Sequence, residues 1–174
     1  SKEGPFLRTG DLGFVLQGEL FITGRLKDLI IIDGRNHYPQ DVEQTIDTCH
    51  PAIRPGCSAA FSLQLDSDEQ LGGEQLGVVV EVRTSPLDGD IDLGEVVKAI
   101  RQAIWLHHDI DVYAIALVPK GAVPKTTSGK VQRRLCRDRL VTHELPQPPG
   151  WHNSHYERSS QVSLDSAMAS RSEE

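Results

Sequence analysis

Three glycine-containing motifs in this chain each carry a charged side chain suited to nucleotide chemistry. The carboxylate of Asp11 can accept hydrogen bonds from a sugar diol, and the guanidinium of Arg25 can donate a planar pair of hydrogen bonds to ribose or phosphate oxygens. Lys130 can deliver a positive charge to a reacting phosphoryl group. Together these residues are typical of half of a nucleotide-activating site. The motifs are LRTGDLGF at 7–14, TGRLKDLIIIDGRNHYPQDVE at 23–43 and PKTTSGK at 124–130.

Each of these residues also has an ordinary interpretation. Aspartate and glycine favour turns, so Asp11 alone indicates a turn more readily than a ligand. Arg25 and Lys27 could be solvated charges that follow a strand, and Lys130 could be the first residue of a helix. The functional interpretation therefore depends on the three motifs occurring together.

The segment that ends at Lys130 invites comparison with the Walker-type phosphate loop, G-x-x-x-x-G-K-[ST]. Counting back from Gly129, the first glycine of that pattern falls on Pro124, and the hydroxyl residue that should follow Lys130 is Val131. Both defining positions differ, so the sequence argues against an independent P-loop NTPase. What remains is a hydroxyl-rich loop, which we expect to be flexible and suited to a lysine that moves in and out of a site.

A basic helix is predicted from about Lys130 to Val141. Its four cations are spaced i, i+3, i+4 and i+7, which places them on one helical face. That face could bind a phosphate or an acidic partner protein, or it could simply be solvated, and the sequence favours neither. The cations are Lys130, Arg133, Arg134 and Arg137.

The elements that position these motifs follow from apolar spacing. Val42 and Ile46 lie four residues apart on one face of a helix that Pro39 opens and Pro51 ends. Residues 112–118 are almost continuously apolar, which indicates a strand inside the sheet. The order of elements predicts an α+β fold in which a small mixed sheet is flanked by helices and preceded by a short β-hairpin. The other predicted strands are 18–24, 29–33, 58–63 and 75–82, and the other predicted helices are 93–106 and about 130–141.

Composition limits the classes of partner and the compartment. A net charge of −7 argues against general binding to nucleic acid. No apolar run approaches the roughly 20 residues that a membrane-spanning helix needs. The three cysteines are odd in number and widely spaced, which favours a reducing cytoplasm over a disulfide framework. No set of side chains has metal-ligand spacing, so no metal site is predicted.

The three motifs resemble signature sequences of the adenylate-forming superfamily, which comprises acyl-CoA synthetases, nonribosomal-peptide adenylation domains and luciferases. They cover residues 6 to about 140, and the sequences DGRNHYPQDVE and KVQRRLCR are similar to those of the fatty acyl-AMP ligase branch. The resemblance implies the C-terminal lid domain of such an enzyme. Residues 1–27 would be the end of the N-terminal domain and the hinge, 28–144 the lid domain, and 145–174 a disordered tail or linker.

The resemblance also implies a role for each motif residue. Asp11 would bind the ribose hydroxyls, and Arg25 would contact ribose and phosphate. Lys27 would lie at the hinge, and Gly34 would face the channel through which the thiol acceptor enters. Lys130 would be the catalytic lysine that reaches the carboxylate and the α-phosphate during adenylation.

A fatty acyl-AMP ligase is therefore the function that the resemblance implies for the full-length enzyme. It would use ATP and Mg²⁺ to convert a fatty acid to acyl-adenylate and pass the acyl group to an acyl carrier protein, acting with its own N-terminal domain. The isolated fragment is expected to be inactive and to bind no cofactor tightly. Two alternatives stay open: the lid of an acyl-CoA synthetase that uses free coenzyme A, and a non-catalytic binding module with the same fold.

Overall fold

The computed structural model describes residues 8–64, 73–83 and 91–148. The predicted tail therefore lies, from residue 149 onward, outside the described residues. The described elements alternate short strands with three α-helices. In chain order they are β1 (Asp11–Leu16), β2 (Glu19–Arg25), a 3-10 helix (Leu26–Asp28), β3 (Ile30–Ile32), β4 (Arg35–His37), α1 (Pro39–Cys49), β5 (Ile53–Gln64), β6 (Glu74–Val82), α2 (Leu93–His108), β7 (Val112–Val118) and α3 (Arg133–Val141).

Two antiparallel hairpins precede α1, formed by β1 with β2 and by β3 with β4. The β3–β4 hairpin closes through Asp33 and Gly34, whose φ angles are 50° and 74°. Positive φ at both central residues is the geometry of a type I′ turn, for which Asp-Gly is a favoured pair. A Cβ added at Gly34 would meet no heavy atom within 4 Å, so the backbone angle rather than crowding favours glycine there.

A three-stranded mixed sheet forms the centre of the fold, in the order β5-β6-β7. Strand β6 pairs antiparallel with β5 and parallel with β7. The prediction that residues 112–118 lie inside the sheet is wrong for the described residues, because β7 is at the sheet's edge. Its apolar run instead reflects burial of both faces, since every residue of β7 except Tyr113 is buried.

Side chains that alternate along the strands divide the core into two clusters. On one face, Val78 and Val80 of β6 pack with Val42 and Ile46 of α1 and with the apolar stripe of α2. On the other face, Val79 packs with residues of the loop after β7 and with α3. The sheet therefore separates α1 and α2 from the loop that carries PKTTSGK. The α2 stripe comprises Val96, Val97, Ile100 and Ile104.

The helix boundaries follow local capping chemistry. The side chain of Asp92 accepts hydrogen bonds from the backbone N–H groups of Gly94 and Glu95, which starts α2. Helix α3 begins at Arg133, three residues later than predicted. Lys130 is therefore not part of this helix, and the helical spacing that grouped it with the three arginines does not apply.

These elements confirm the predicted α+β class with its small mixed sheet, flanking helices and leading hairpin. None of the helices in the described ranges combines the length and apolar character that a bilayer crossing requires.

Candidate functional site

The hairpin β1–β2 brings two of the predicted site residues together. Asp11 and Arg25 are directly opposite partners in its register, and the Arg25 Nε lies 3.4 Å from the Asp11 Oδ1. The Arg25 side chain is 73% exposed and that of Asp11 33% exposed, so both can still reach a ligand. The interpretation of Asp11 as a turn residue is wrong, because Asp11 begins a strand.

The same hairpin exposes apolar side chains that a folded protein normally covers. Phe14 and Phe21 stack with ring centroids 5.2 Å apart, yet they remain 50% and 41% exposed. A two-stranded ribbon with this much exposed apolar surface is marginal in water unless another element packs against it. Its other exposed apolar residues are Val15, Leu16, Leu20 and Ile22.

Backbone hydrogen bonds close the loop that carries Lys130. Thr126 N–H donates to the Lys130 carbonyl at 2.8 Å, and Gly129 N–H donates to the Thr126 carbonyl at 2.9 Å. The Thr126 hydroxyl accepts from Lys130 N–H at 3.1 Å, and Gly129 has a φ of 80°. Lys125 and Val131 pair as an antiparallel bridge below this turn. Lys130 thus follows a tight turn rather than opening a helix.

A buried carboxylate holds the base of this loop. Glu81 of β6 is 2% exposed, and its Oε1 accepts the backbone N–H of Val123 at 2.9 Å. Its Oε2 lies 2.5 Å from Nη1 of Arg54, whose side chain is 31% exposed. On the same loop, the amine of Lys125 donates to the sulfur of Cys57 at 3.2 Å. The sheet therefore fixes the start of the loop through charged as well as apolar contacts.

These bonds change the expectation of a flexible loop. The loop backbone is fastened at its base and at its tip, so any large displacement of Lys130 would come from its side chain or from the whole domain. Lys130 is exposed. Among the described residues, none forms a hydrogen bond or ion pair with its amine, which leaves the charge available to an external anion.

The segment after β2 is tied to α3 by the half-buried side chain of Arg133. Asp28, next to Lys27 in the 3-10 helix, accepts from Arg133 Nη1 at 3.3 Å. Glu43 accepts from both Nε and Nη2 of Arg133, at 2.6 and 2.7 Å. The hydrogen bond to Glu43, opposed by burial, raises the pKa of Arg133. Arg133 is therefore not available as part of a free basic face, while its neighbour Arg134 is exposed.

The predicted residues do not all meet. In the described part of the chain, no hydrogen bond or ion pair joins Lys130 to Asp11 or Arg25, and Gly34 lies on a separate hairpin turn. Lys27 lines a small cavity of about 30 Å³ that Arg133 and Arg134 also line.

Across the described residues, no group of three or more histidine, cysteine or acidic side chains is placed to hold a metal ion.

The sequence did not reveal Glu81, Glu43 or Asp28 as partners of the loop and of α3. Glu43 and Arg133 are 90 residues apart in the chain, and Asp28 and Arg133 are 105 apart. The one signal that could have been noticed was the position of Glu81, an acidic residue between Val80 and Val82 in the predicted strand.

Comparisons with known proteins agree with the motifs. A family model described as Disco-interacting protein 2-like, AMP domain, matches residues 27–148. The chain is 50% identical over 147 residues to the medium-chain-fatty-acid–[acyl-carrier-protein] ligase JamA of Moorena producens, covering 84% of this chain and 24% of that protein. It is 41% identical over 152 residues to the long-chain-fatty-acid–AMP ligase FadD32 of Mycolicibacterium smegmatis, covering 79% and 24%.

A solved structure from work on fatty acyl-adenylate ligases of E. coli and L. pneumophila is also similar. It superposes with a TM-score of 0.63 at 35% identity, over 79% of this chain and 22% of that one. The chain thus spans about a quarter of the length of the curated relatives that it matches.

Proposed function

Because the chain belongs to the Disco-interacting protein 2-like AMP-domain family of adenylate-forming enzymes, we propose that it is the C-terminal lid domain of a fatty acyl-AMP ligase. The full-length enzyme would join a fatty acid to the AMP moiety of ATP, release pyrophosphate, and transfer the acyl group to the phosphopantetheine thiol of an acyl carrier protein. The names of the two relatives, a fatty-acid–[acyl-carrier-protein] ligase and a fatty-acid–AMP ligase, support the substrate and the acceptor.

The exposed amine of Lys130, which has no partner among the described residues, is the observation that carries this proposal. Attack of an acyl carboxylate on the α-phosphate brings two anions together, and negative charge builds on the oxygens that are exchanged. A lysine held on a fixed turn offsets this repulsion and orients the attack without costly reorganisation. The exposed position of Lys130 on a hydrogen-bonded loop meets both requirements.

Asp11 and Arg25 would bind the ribose side of the nucleotide. The carboxylate accepts hydrogen bonds from the two ribose hydroxyls, and the guanidinium donates to ribose and phosphate oxygens. Their cross-strand pairing at 3.4 Å places an acceptor and a donor side by side, as a diol next to a phosphate requires.

Mg²⁺ would accompany the triphosphate. The described residues offer no cluster of three suitable side chains. When bound, the ion would neutralise phosphate charge.

Two half-reactions at one site require a lid with two positions. Lys130 must be close during adenylation, and it must leave before a thiol can reach the acyl-adenylate. Lys27 would be the hinge at which residues 28–144 rotate, and Gly34 would then face the acceptor channel. The 3-10 helix that contains Lys27 lies between the hairpin and the remaining fold, where a hinge would be placed.

The N-terminal domain would supply the remaining active site and would cover the hairpin of residues 11–25. The exposed aromatic and aliphatic side chains of that hairpin support such packing. The free thiols Cys49, Cys57 and Cys136 support a cytoplasmic location, where disulfides are rare.

The proposal is tested by fatty-acid-dependent release of pyrophosphate. We expect the full-length protein to release pyrophosphate with fatty acid and Mg·ATP, and this chain alone to release none. Acyl transfer is then compared with holo acyl carrier protein and with free coenzyme A as acceptors, and we expect the carrier protein to be acylated.

Efficient transfer to coenzyme A but not to the carrier protein would indicate an acyl-CoA synthetase instead. Pyrophosphate release by this chain alone would refute the assignment as a lid. Absence of release by the full-length protein with every fatty acid tested would favour a non-catalytic binding module.

A further inference from the structure

Arg133 is a highly paired charged group close to the Lys130 loop. Three of its guanidinium nitrogens donate to carboxylates, two to Glu43 at 2.6 and 2.7 Å and one to Asp28 at 3.3 Å. The side chains of Arg133, Glu43 and Asp28 are 19%, 13% and 24% exposed. A guanidinium bound through two parallel bonds has a defined orientation as well as a defined position.

These contacts join parts of the chain that the proposed function requires to act together. Arg133 is the first residue of α3, three residues after Lys130. Asp28 ends the 3-10 helix that contains Lys27. Glu43 lies on α1, and its Oε1 also accepts the backbone N–H of Ala60 in β5 at 3.0 Å. One side chain thus connects the lysine loop to the hinge segment, to α1 and to the sheet.

Stability alone does not explain why an arginine occupies this place. A buried ion pair often contributes no more to stability than well-packed apolar residues of the same volume. Arg134 and Arg137, on the same helix, lie more toward solvent, and within the described part of the chain the one ion pair of Arg137 is with its neighbour Asp138 at 3.1 Å. The described contacts therefore single out Arg133 as the residue that fixes where α3 and the preceding turn sit.

We propose that Arg133 is a positioning residue that fastens the Lys130 loop to the hinge segment, so that rotation at the hinge delivers the lysine amine to a fixed place. This inference rests on the proposed function. An error of about 1 Å in the placement of a catalytic group can cost about 100-fold in rate. Loss of the two-bond contact with Glu43 would permit errors of that size in the position of the loop.

The experiment uses the full-length protein and measures the two half-reactions separately. Adenylation is followed by pyrophosphate release, and transfer is followed with synthetic acyl-adenylate and the acceptor. Because Lys130 acts only in adenylation, Arg133→Lys should lower the kcat of adenylation about 10- to 100-fold. It should leave the KM for ATP and the rate of transfer within about twofold. Arg134→Ala, on the adjacent exposed residue, is the matched control and should leave both reactions unchanged.

Asp28→Asn provides a second variant that keeps the contact with Glu43. We expect a smaller loss of adenylation, about 3- to 10-fold, because only the longest of the three bonds loses its charge. The thermal midpoint is measured for every variant. If Arg133→Lys does not fold, the adenylation rate of Asp28→Asn tests the positioning role in its place.

Lys130→Ala, measured in the same assays, separates failure of the inference from failure of the proposed function. If Lys130→Ala abolishes adenylation while Arg133→Lys and Asp28→Asn leave it intact, the positioning role is wrong and the proposed function stands. Equal losses in adenylation and transfer would show a purely structural role for Arg133. An unimpaired Lys130→Ala enzyme would overturn the proposed function and this inference with it.

Discussion

Replacing Glu81 by alanine should destabilise the domain, because this carboxylate is enclosed and serves two donors. Its Oε1 accepts the backbone N–H of Val123 at 2.9 Å, and its Oε2 contacts Arg54 at 2.5 Å. Val123 is itself buried, so no solvent can replace the lost acceptor. The two lost contacts differ in kind, and each can be assigned a magnitude.

A buried N–H group left without an acceptor costs about 1–3 kcal/mol. Removing one partner of a buried ion pair costs about 3–5 kcal/mol when the other charge stays buried. The 31% exposed side chain of Arg54 can be partly rehydrated, which reduces that second cost. We therefore expect Glu81→Ala to lower the free energy of unfolding by about 3 kcal/mol. Glu81→Gln keeps an oxygen for Val123 and should cost about 1–2 kcal/mol.

Urea unfolding of the chain, followed by circular dichroism, measures these differences. With a slope of about 2 kcal/mol per molar urea, the alanine variant should unfold at a midpoint about 1.5 M lower than the parent chain. Glu19→Ala is the matched control, since Glu19 lies exposed on strand β2 and the change there should be within about 0.5 kcal/mol.

Two results would refute this reasoning. A Glu81→Ala midpoint within the scatter of the Glu19→Ala control would show that the buried carboxylate contributes nothing to folding. A Glu81→Gln variant as unstable as Glu81→Ala would show that the bond to Val123 is not what the carboxylate supplies.

Two further predictions follow from the titration of buried groups. Burial, aided by nearby positive charge, lowers the pKa of His37 and of His108 below 6.5, so protonation favours the unfolded chain. The contribution of the two histidines to the free energy of unfolding should be constant above about pH 6.5 and should fall as the pH drops below that value. The fall should be at most about 1.4 kcal/mol per pH unit for each histidine. Between pH 7.5 and 5.5, the urea midpoint should fall less in the His37→Gln/His108→Gln variant than in the parent chain. An equal fall of the midpoint in both proteins would show that these two histidines do not cause the pH dependence. Burial raises the pKa of the Cys136 thiol to about 12, so iodoacetamide should modify it at pH 8 only when urea unfolds the chain. Rapid labelling of Cys136 in the native protein, identified by peptide mass mapping, would show that the thiol is not enclosed.

The helices illustrate what apolar spacing could predict. Val42 and Ile46 were placed on one face of α1 by their spacing of four, and both are fully buried.

Strand β4 was missed because its residues, Arg35, Asn36 and His37, show no apolar alternation. This strand exists because the preceding Asp-Gly turn folds it back on β3. The pair Asp-Gly was visible in the sequence and is the signal that could have revealed it.

The predicted strand 58–63 proved shorter than the observed β5, which begins at Ile53. Pro55 and Gly56 interrupt its pattern, and the register with β6 shifts between Ile53 and Ser58. A bulge of this kind accommodates the proline and cannot be read from alternation.

The site divides in the same way. Motifs predicted Asp11, Arg25 and Lys130 as charged residues near glycine turns, and hairpin pairing alone was enough to bring the first two together. The contacts of Arg133 with Asp28 and Glu43 depend on how α1, α3 and the 3-10 helix pack. Local sequence patterns report periodicity and turns, and they carry no information about which distant charges become neighbours.

Separating the two half-reactions in a Lys130→Ala variant of the full-length protein tests the central claim most directly. We expect pyrophosphate release to fall about 100- to 1,000-fold, while transfer from supplied acyl-adenylate stays within about twofold of the parent enzyme. Lys120→Ala, an exposed lysine on the turn that precedes the same loop, should leave both rates unchanged. Undiminished pyrophosphate release by the Lys130→Ala protein would contradict the assignment of this lysine to adenylation.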